Sequence, residues 1–463
     1  MNLDAFQSDL SDIPQTTDAL TVKRKSRDMT TAFSPIMRDE LKDRFADMVI
    51  SPRTKDDVIR IARAAARHRV PLMPRGAGTC NWGQGIPLAG GAVLDMTGLN
   101  RMVRHEGHTV RVEPGMICHD IDRATQPKGQ ELRMHPSTRY STIGGFVGGG
   151  HVGLGSCTWG ILRDLGNIQR VEVISVEEEP RVVELKGAEV NRVHHAYGSN
   201  GIITELEFPL APAYGWTEAI VDFDDFLRAC DFGITLNRTD GIVPKMVAMN
   251  EWRYAKLFTQ TGLGGILRDG RHTVHVMIAT PFLEAFESLA ADFGGTIVYS
   301  GPEGQGPFGK PLYEYSFGHA RMNAIKVDPT FVANIGVFPH DRLMDSIAAC
   351  HEKFHDLGPM RFDMKRMDGH LSAQGSPLFH YEGPEQMARV IEMMQEEGVA
   401  AANTHTMHVK ENGMKPVDDA ELAFKAEMDP WNLMNPGKIT AAQSEVKGKG
   451  VALPTSGWSY RRA

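Results

Sequence analysis

HPSTRYSTIGGFVGGGHVGLGSCTWGILRD, residues 135–164, decides the reading of this chain. Glycines stand at 144, 145, 148, 149, 150, 153, 155 and 160, interleaved with Ile143, Phe146, Val147, Val152 and Leu154. A packed core has no use for so many residues without side chains, and a surface linker would not carry those apolar neighbours. The mixture predicts main chain laid closely against a flat ligand. It is not a Walker A motif. Gly148 to Gly153 fits only a loose GxGxxG, with no acidic ribose partner at the expected distance.

Upstream lies a second bend of the same kind, PRGAGTCNWGQGIPL at 74–88, directly after a short apolar strand, Val70 to Met73. Gly76, Gly78, Gly83 and Gly85 free the backbone there, and successive N–H groups in such a turn form a concave nest for phosphate. A plain tight turn is the alternative. Around the two bends, strands alternate with a helix. Met48 to Ile50, Ala92 to Met96, Val110 to Val112, Val171 to Val176 and Gly201 to Leu210 read as strands. Residues 51–69 read as a helix capped by Ser51 or Thr54, with Val58, Ile61 and Ala65 on one face.

A chain of 463 residues is expected to form two domains. Its net charge of −8, without a basic run, argues against a nucleic-acid partner. Five cysteines, never in a CxxC pair, fit a reducing compartment and exclude a disulfide framework or a cysteine zinc site. The opening residues lack a basic and then apolar signal, and no apolar run approaches the ~20 residues that span a bilayer. A soluble, cytoplasmic protein with no membrane partner is expected. The 24 methionines read mainly as core fillers.

After Trp216 the texture changes. Val221 to Phe223, His272 to Ala279, Thr296 to Tyr299, Phe331 to Phe338 and Met360 to Met367 read as strands. Segments 224–236, 282–293, 341–357 and 383–397 read as helices. Two βαβ halves in an α+β domain with a largely antiparallel sheet are predicted. The expected organisation is a polar leader at 1–44, a first domain at 45–213, a second at 216–425, and a tail at 426–463 whose end, after Gly437, runs over the surface.

Four segments carry a resemblance to a known family: RGAGT (75–79), STIGG (141–145) continuing to GILRD (160–164), YGSNGIITEL (197–206) and DPWNLMNPGKI (429–439). In these the chain resembles the FAD-linked oxidoreductases of the vanillyl-alcohol oxidase and p-cresol methylhydroxylase (PCMH) superfamily. Within it, the chain is most similar to the glycolate oxidase and D-lactate dehydrogenase type. The resemblance covers 45–213 and the last part of the chain well, and is thin between 216 and 425. It implies an α+β fold: a PCMH-type FAD-binding domain of two α/β subdomains, completed by the returning 426–463, and a ferredoxin-like cap over the substrate. It also implies that Arg75, Gly76, Ala77, Gly78 and Thr79 bind the FAD pyrophosphate. Pro136, Ser137, Thr142, Gly144 and Gly145 would line the flavin and ribityl side. Gly201 and Ile203 would lie near the adenine half, and Asn435 would return from the C-terminal segment. Gly201 as a mere turn and Asn435 as a local cap are the plainer alternatives.

Departures from the family pattern matter. Thr79 stands where some relatives tether FAD through histidine, and Thr138 where bicovalent relatives use cysteine, so non-covalent FAD is expected. A tethering histidine from the second domain stays open. Gly150, His151, Val152 and Gly153 replace the usual Asn-Ala-Gly-Gly run, so His151 either faces the flavin or sits satisfied in the interior. His405 and His408 are spaced wrongly for the family's metal motif, and Asn412 replaces a later family histidine, so no metal is expected. The implied activity is that of an FAD-dependent dehydrogenase or oxidase. It would oxidise the CH–OH group of a small substrate, a hydroxy acid or an aromatic alcohol, by hydride transfer to flavin N5. The rivals are a flavin subunit that hands electrons to a partner protein and a catalytically silent flavin-binding sensor. The electron acceptor is left open, and a homodimer is compatible with the sequence.

Candidates for the proton and for substrate binding fall in three clusters. In YEYSFGHARMNAIK (313–326), alternating Tyr313, Tyr315 and Phe317 predict a strand that continues to His319 and Arg321, with Arg321 suited to a carboxylate or phenolate. In NTHTMHVKENG (403–413), His405 or His408 is a candidate base. His370, His380 and Tyr381 suit either a substrate pocket or a surface loop.

Overall fold

The computed structural model describes residues 1–439 and divides into two compact units. The surface run read for the chain's end falls at 440–463, outside the described residues. Of the described residues, the first unit comprises 1–151, 162–212 and 405–439; the second comprises 152–161 and 213–404. The glycine-rich stretch is therefore divided. The chain leaves the first unit at His151 and returns at Leu162, whose N–H donates to the His151 carbonyl at 3.1 Å.

In the first unit, Met48–Ile50, Ala92–Asp95 and Leu72–Arg75 form a parallel sheet, with Gln15–Thr16 antiparallel at its edge. Helix Lys55–His68 makes the crossover between the first and last of these strands. Thr54 and Asp57 close its start with a capping box, and Arg69 ends it in a left-handed conformation. Its inner face is Val58, Ile61, Ala62 and Ala65, at the spacing the sequence shows. The second sheet is antiparallel throughout, in the order 102–106, 109–112, 202–212, 170–174, 182–186, with Gln130–Leu132 pairing the far end of 202–212.

Residues 1–44, read as a leader, are built into this unit. Phe6, Leu10 and Ile13 join the core around the parallel sheet, and Phe6 is wholly buried. The same core takes Leu433 and Met434 from the C-terminal segment. The N-terminal segment and residues 433–434 thus pack on one sheet.

The second unit is built on one antiparallel sheet of eight strands, in the order 296–302, 216–223, 272–279, 244–250, 360–367, 370–377, 335–337, 400–402. Helices Phe226–Arg238, Leu283–Asp292, Leu343–Lys353 and Pro384–Glu396 accompany it. Together the two units give the α+β class. The strand read at Phe331–Phe338 is two short strands, Phe331–Val332 and Ile335–Val337, in different sheets, and a second predicted element is wrong. Residues 312–327 are not a strand but a short 3-10 turn, Leu312–Tyr315, followed by helix Phe317–Val327. The helix start is fixed from a distant strand: Asp363 Oδ1 accepts the Phe317 N–H at 3.2 Å. No local pattern could announce that cap.

Among the described residues no helix is long and apolar enough to cross a membrane. Glu218, wholly buried on strand 216–223, accepts the N–H groups of Gly304 (3.1 Å) and Leu312 (2.6 Å) and so pins the 303–312 loop. Burial raises its carboxyl to about 7, and the two N–H donors only partly oppose this. A raised carboxyl binds its proton more tightly in the folded state. Its stabilisation is therefore complete below the unfolded value and is lost as pH rises through about 7. Melting temperatures measured from pH 5 to pH 8 should fall more steeply for the wild type than for Glu218→Gln; parallel curves would contradict this.

Candidate functional site: the meeting of two glycine loops

The parallel strand Leu72–Arg75 delivers the first loop at its C-terminal end, and the second loop starts the helix Ile143–Gly149, with Thr142 as N-cap. The two loops touch. Thr79 Oγ1 and Ser141 Oγ share a hydrogen bond of 2.7 Å. Gln84 Nε2 donates to the Gly149 carbonyl at 3.4 Å. At Gly76 a Cβ would collide with the Thr142 hydroxyl, so glycine there lets one loop close on the other.

The glycines divide into two kinds. Gly76, Gly144 and Gly201 are glycine for the protein's own packing. A Cβ on Gly144 would strike Pro114, whose carbonyl accepts the Gly144 N–H at 2.9 Å. Gly201 has φ +99°, and its Cβ would fall 2.6 Å from Val173. Gly148 is different: a Cβ there meets nothing within 4 Å. The second loop therefore presents open space on the helix that begins at Ile143, which a ligand can fill. Two buried polar atoms of the same unit, Arg75 Nε and Asn435 Oδ1, have no hydrogen-bond partner. Open space at Gly148 and two unsatisfied side-chain atoms in the same unit suit a polar ligand such as a dinucleotide.

Asn435 ties the site together. Its N–H donates to the Leu72 carbonyl (2.8 Å), and its side-chain nitrogen donates to the carbonyls of Gln84 (2.9 Å) and Tyr197 (2.7 Å). The residue is buried and backbone-strained at φ 40°. The Tyr197 segment in turn closes the second loop: the N–H groups of His195 and Tyr197 donate to the carbonyls of Val147 and Gly148, both at 2.9 Å. His195 Nδ1 donates to the Gly150 carbonyl at 2.9 Å. These bonds satisfy carbonyls at the helix end that would otherwise be orphaned. His195 (φ 50°) and Tyr197 (φ 54°) both hold left-handed backbone to do so.

His151 belongs to a buried trio, its ring 6.2 Å from His194 and 6.0 Å from His195. Burial lowers His195 to about 4 and His194 well below its ordinary value, so both are neutral at neutral pH. His151 itself is buried.

Arg75 ends its strand with its guanidinium on the Arg27 carbonyl, and burial lowers its pKa. Ala77 and Gly78 follow in the same loop, Gly78 at φ +74°. Pro136 accepts from its neighbour His135 at 2.9 Å, and Ser137 is buried close by in sequence. Gly145 N–H donates to the Thr142 cap at 3.3 Å. Ile203 pairs with Val173 in the antiparallel sheet and packs on its core. His405 is buried, Nδ1 on Ser34 Oγ (2.8 Å), its ring edge-on to Trp82. His408 is half-buried and donates from Nδ1 to the Gly437 carbonyl at 2.8 Å.

His319 and Arg321 do not form the shared face expected of them. Two residues apart on a helix, they point about 200° apart. His319 lies 3.0 Å from Glu314. Arg321 is buried and donates to the Ala333 carbonyl at 2.7 Å, with burial lowering its pKa to about 9. Likewise His380 lies against Asp328 at 3.6 Å with its ring stacked on Phe331, and His370 stacks on His340. Sequence reasoning missed Ser141, Gln84, His195 and Gly148 as joints of the site. The spacing of the glycines could have flagged Gly148; nothing local marks the others.

Residues 46–183 match the family described as FAD binding domain. The chain is 24% identical to glycolate oxidase subunit GlcD of Bacillus subtilis, over 87% of this chain and 90% of that relative. It is also 24% identical to D-lactate dehydrogenase of Anaerostipes hadrus, over 36% of this chain and 37% of the relative. A solved structure of alkyldihydroxyacetonephosphate synthase superposes with a TM-score of 0.69 at 13% identity, covering 95% of this chain and 85% of that one. The chain is an FAD-dependent oxidoreductase with a PCMH-type fold, and FAD is its cofactor. Within that class it is similar to glycolate oxidase subunit GlcD and D-lactate dehydrogenase.

The two kinds of glycine make a test. Gly148→Ala places a methyl group in open space on a helix, where alanine is favoured by roughly 0.5–1 kcal/mol. The apo-protein should melt no lower than wild type while FAD binding weakens at least about tenfold, read by flavin fluorescence. Gly76→Ala should lower the apo melting temperature as well. Equal FAD affinity in Gly148→Ala would remove that residue from the flavin surface.

Proposed function

We propose that this protein oxidises the CH–OH group of a small hydroxy acid, with FAD held non-covalently between the loops at 75–79 and 141–149. The observation that carries the reading is the direct junction of the loops at Thr79 and Ser141, beside the open surface at Gly148. Arg75 to Thr79 would hold the pyrophosphate through their backbone, Thr142 to Gly148 would back the flavin, and Asn435 Oδ1 offers a buried acceptor. Thr79 offers only a weakly nucleophilic hydroxyl, bonded to Ser141, in place of an imidazole. Relatives named glycolate oxidase, D-lactate dehydrogenase and D-2-hydroxyglutarate dehydrogenase favour a hydroxy acid over an aromatic alcohol.

FAD, when bound, supplies the acceptor, at its N5, for the hydride that leaves the substrate carbon. The chain must take the hydroxyl proton. His408 suits that role. Because a carbonyl can only accept, the bond to Gly437 fixes the proton on Nδ1 and leaves the lone pair on Nε2. Its neighbour Val409 donates to the Lys438 carbonyl at 3.1 Å, so this histidine is carried by the same return segment that touches the first loop. His405 is occupied in packing and serves the scaffold.

Mixing the FAD-loaded protein anaerobically with a panel of 2-hydroxy acids and aromatic alcohols should bleach the flavin's visible absorbance with at least one hydroxy acid. Retained colour with the whole panel defeats the reading. His408→Asn should lower kcat by about 10²–10⁴-fold with FAD content unchanged; turnover within threefold of wild type would reassign the base. A second reading, electron delivery to a partner, is favoured by the word subunit in the names of the glycolate oxidase relatives. Turnover that appears only with an added partner protein would select it.

A further inference from the structure

The tripeptide Gly83–Gln84–Gly85 sits where the loops join, and four of its backbone polar groups are held by side chains from the two ends of the chain. Thr30 Oγ1 accepts the Gly83 N–H, and Lys438 Nζ donates to the Gly83 carbonyl at 2.7 Å. Asn435 donates to the Gln84 carbonyl at 2.9 Å. Asp28 Oδ2 accepts the Gly85 N–H at 3.1 Å, while its Oδ1 accepts from Thr30 N–H at 2.9 Å. Gly83 itself is at φ +72°, with Met37, Leu41 and Met407 crowding the place of a Cβ. Neither an amide ladder nor solvent sets this stretch; residues 28–30 and 435–438 do.

Two of the four are charged and buried: Lys438 is wholly inaccessible and Asp28 is 8% exposed. A single buried ion in such a place is strongly unfavourable, whereas opposite charges nearby offset each other. Burial lowers Lys438 to about 7, and Asp28, Cys80 and Glu40 oppose that shift. Burial raises Asp28, and its hydrogen bonds to Thr30 and Gly85 and the charge of Lys438 oppose it. Each group therefore answers to the other's charge while gripping the same tripeptide. Gln84, between the two grips, reaches the second loop at Gly149.

We propose that Asp28 and Lys438 are a coupled pair of positioning residues for FAD, holding Gly83–Gly85 from opposite ends of the chain so that the two glycine loops meet in the register that binds the cofactor. This rests on the reading of those loops as the flavin site.

The test is FAD titration of the full-length apo-protein, followed by flavin fluorescence, for wild type, Asp28→Asn, Lys438→Met and the double variant. Each single variant leaves one buried charge uncompensated and should bind FAD about tenfold or more weakly. The double variant should bind no worse than the poorer single, because removing the second charge rescues the first. The wild-type dissociation constant should rise as pH increases through about 7, where Lys438 gives up its proton, and the Lys438→Met profile should be flat. A single variant that fails to fold while the double folds supports the pair in the same way. Single variants that bind like wild type, losses that multiply in the double, or a pH profile shared by wild type and Lys438→Met would overturn it. A wild-type protein that takes up no FAD would instead sink the flavin reading itself, and the pair with it.

Discussion

One asparagine side chain closes the flavin-binding unit. Asn435 donates to carbonyls at Gln84 and Tyr197, and its backbone N–H to Leu72, so three segments remote in sequence converge on one residue. A neutral hydrogen bond adds only about 1 kcal/mol net, but a buried carbonyl left without its donor costs about 1–3 kcal/mol. Without the Asn435 side chain, two carbonyls would be orphaned at the junction of both loops. The left-handed backbone at this residue is held by the surrounding bonds.

The same logic extends to the second loop. A glycine-rich helix is intrinsically weak, since each glycine forfeits backbone entropy. Here the segment from His195 to Tyr197 repairs the weakness by accepting strain of its own and capping the helix end with two N–H groups and an imidazole. Gly148 leaves open space beside the helix, and the strained segment holds the helix end in one conformation. A site for a long dinucleotide needs both, because ordering a floppy loop at the moment of binding would subtract from affinity.

In the second unit, buried charges are likewise absorbed by structure. Arg361 pairs with Asp363 at 2.6 Å and donates to Asn250 at 3.2 Å; Asp363 also caps the helix at Phe317. Arg321 spends a guanidinium N–H on a backbone carbonyl. Chemical residue types in a promising segment are therefore poor indicators of catalysis by themselves, since a helix start or a loop staple uses the same groups. A ring bond to a backbone carbonyl, as at His408 and at His195, fixes which imidazole nitrogen carries the proton and does not by itself mark a base.

Much of the flavin unit was legible in the chain alone. Local spacing determines the capped helix at 55–68, the strands around it and the two glycine bends, because periodicity, capping and the absence of side chains are properties of neighbours. The order of four short motifs likewise determines the cofactor class. Tertiary structure decided what only distant contacts can specify: that residues 1–44 belong to the core through Phe6, Leu10 and Ile13, that Asp363 makes a helix of 317–327, and that Asp28 reaches Gly85. Those outcomes depend on a partner far along the chain, and a hydrogen bond between remote residues leaves no period or composition for a sequence to display.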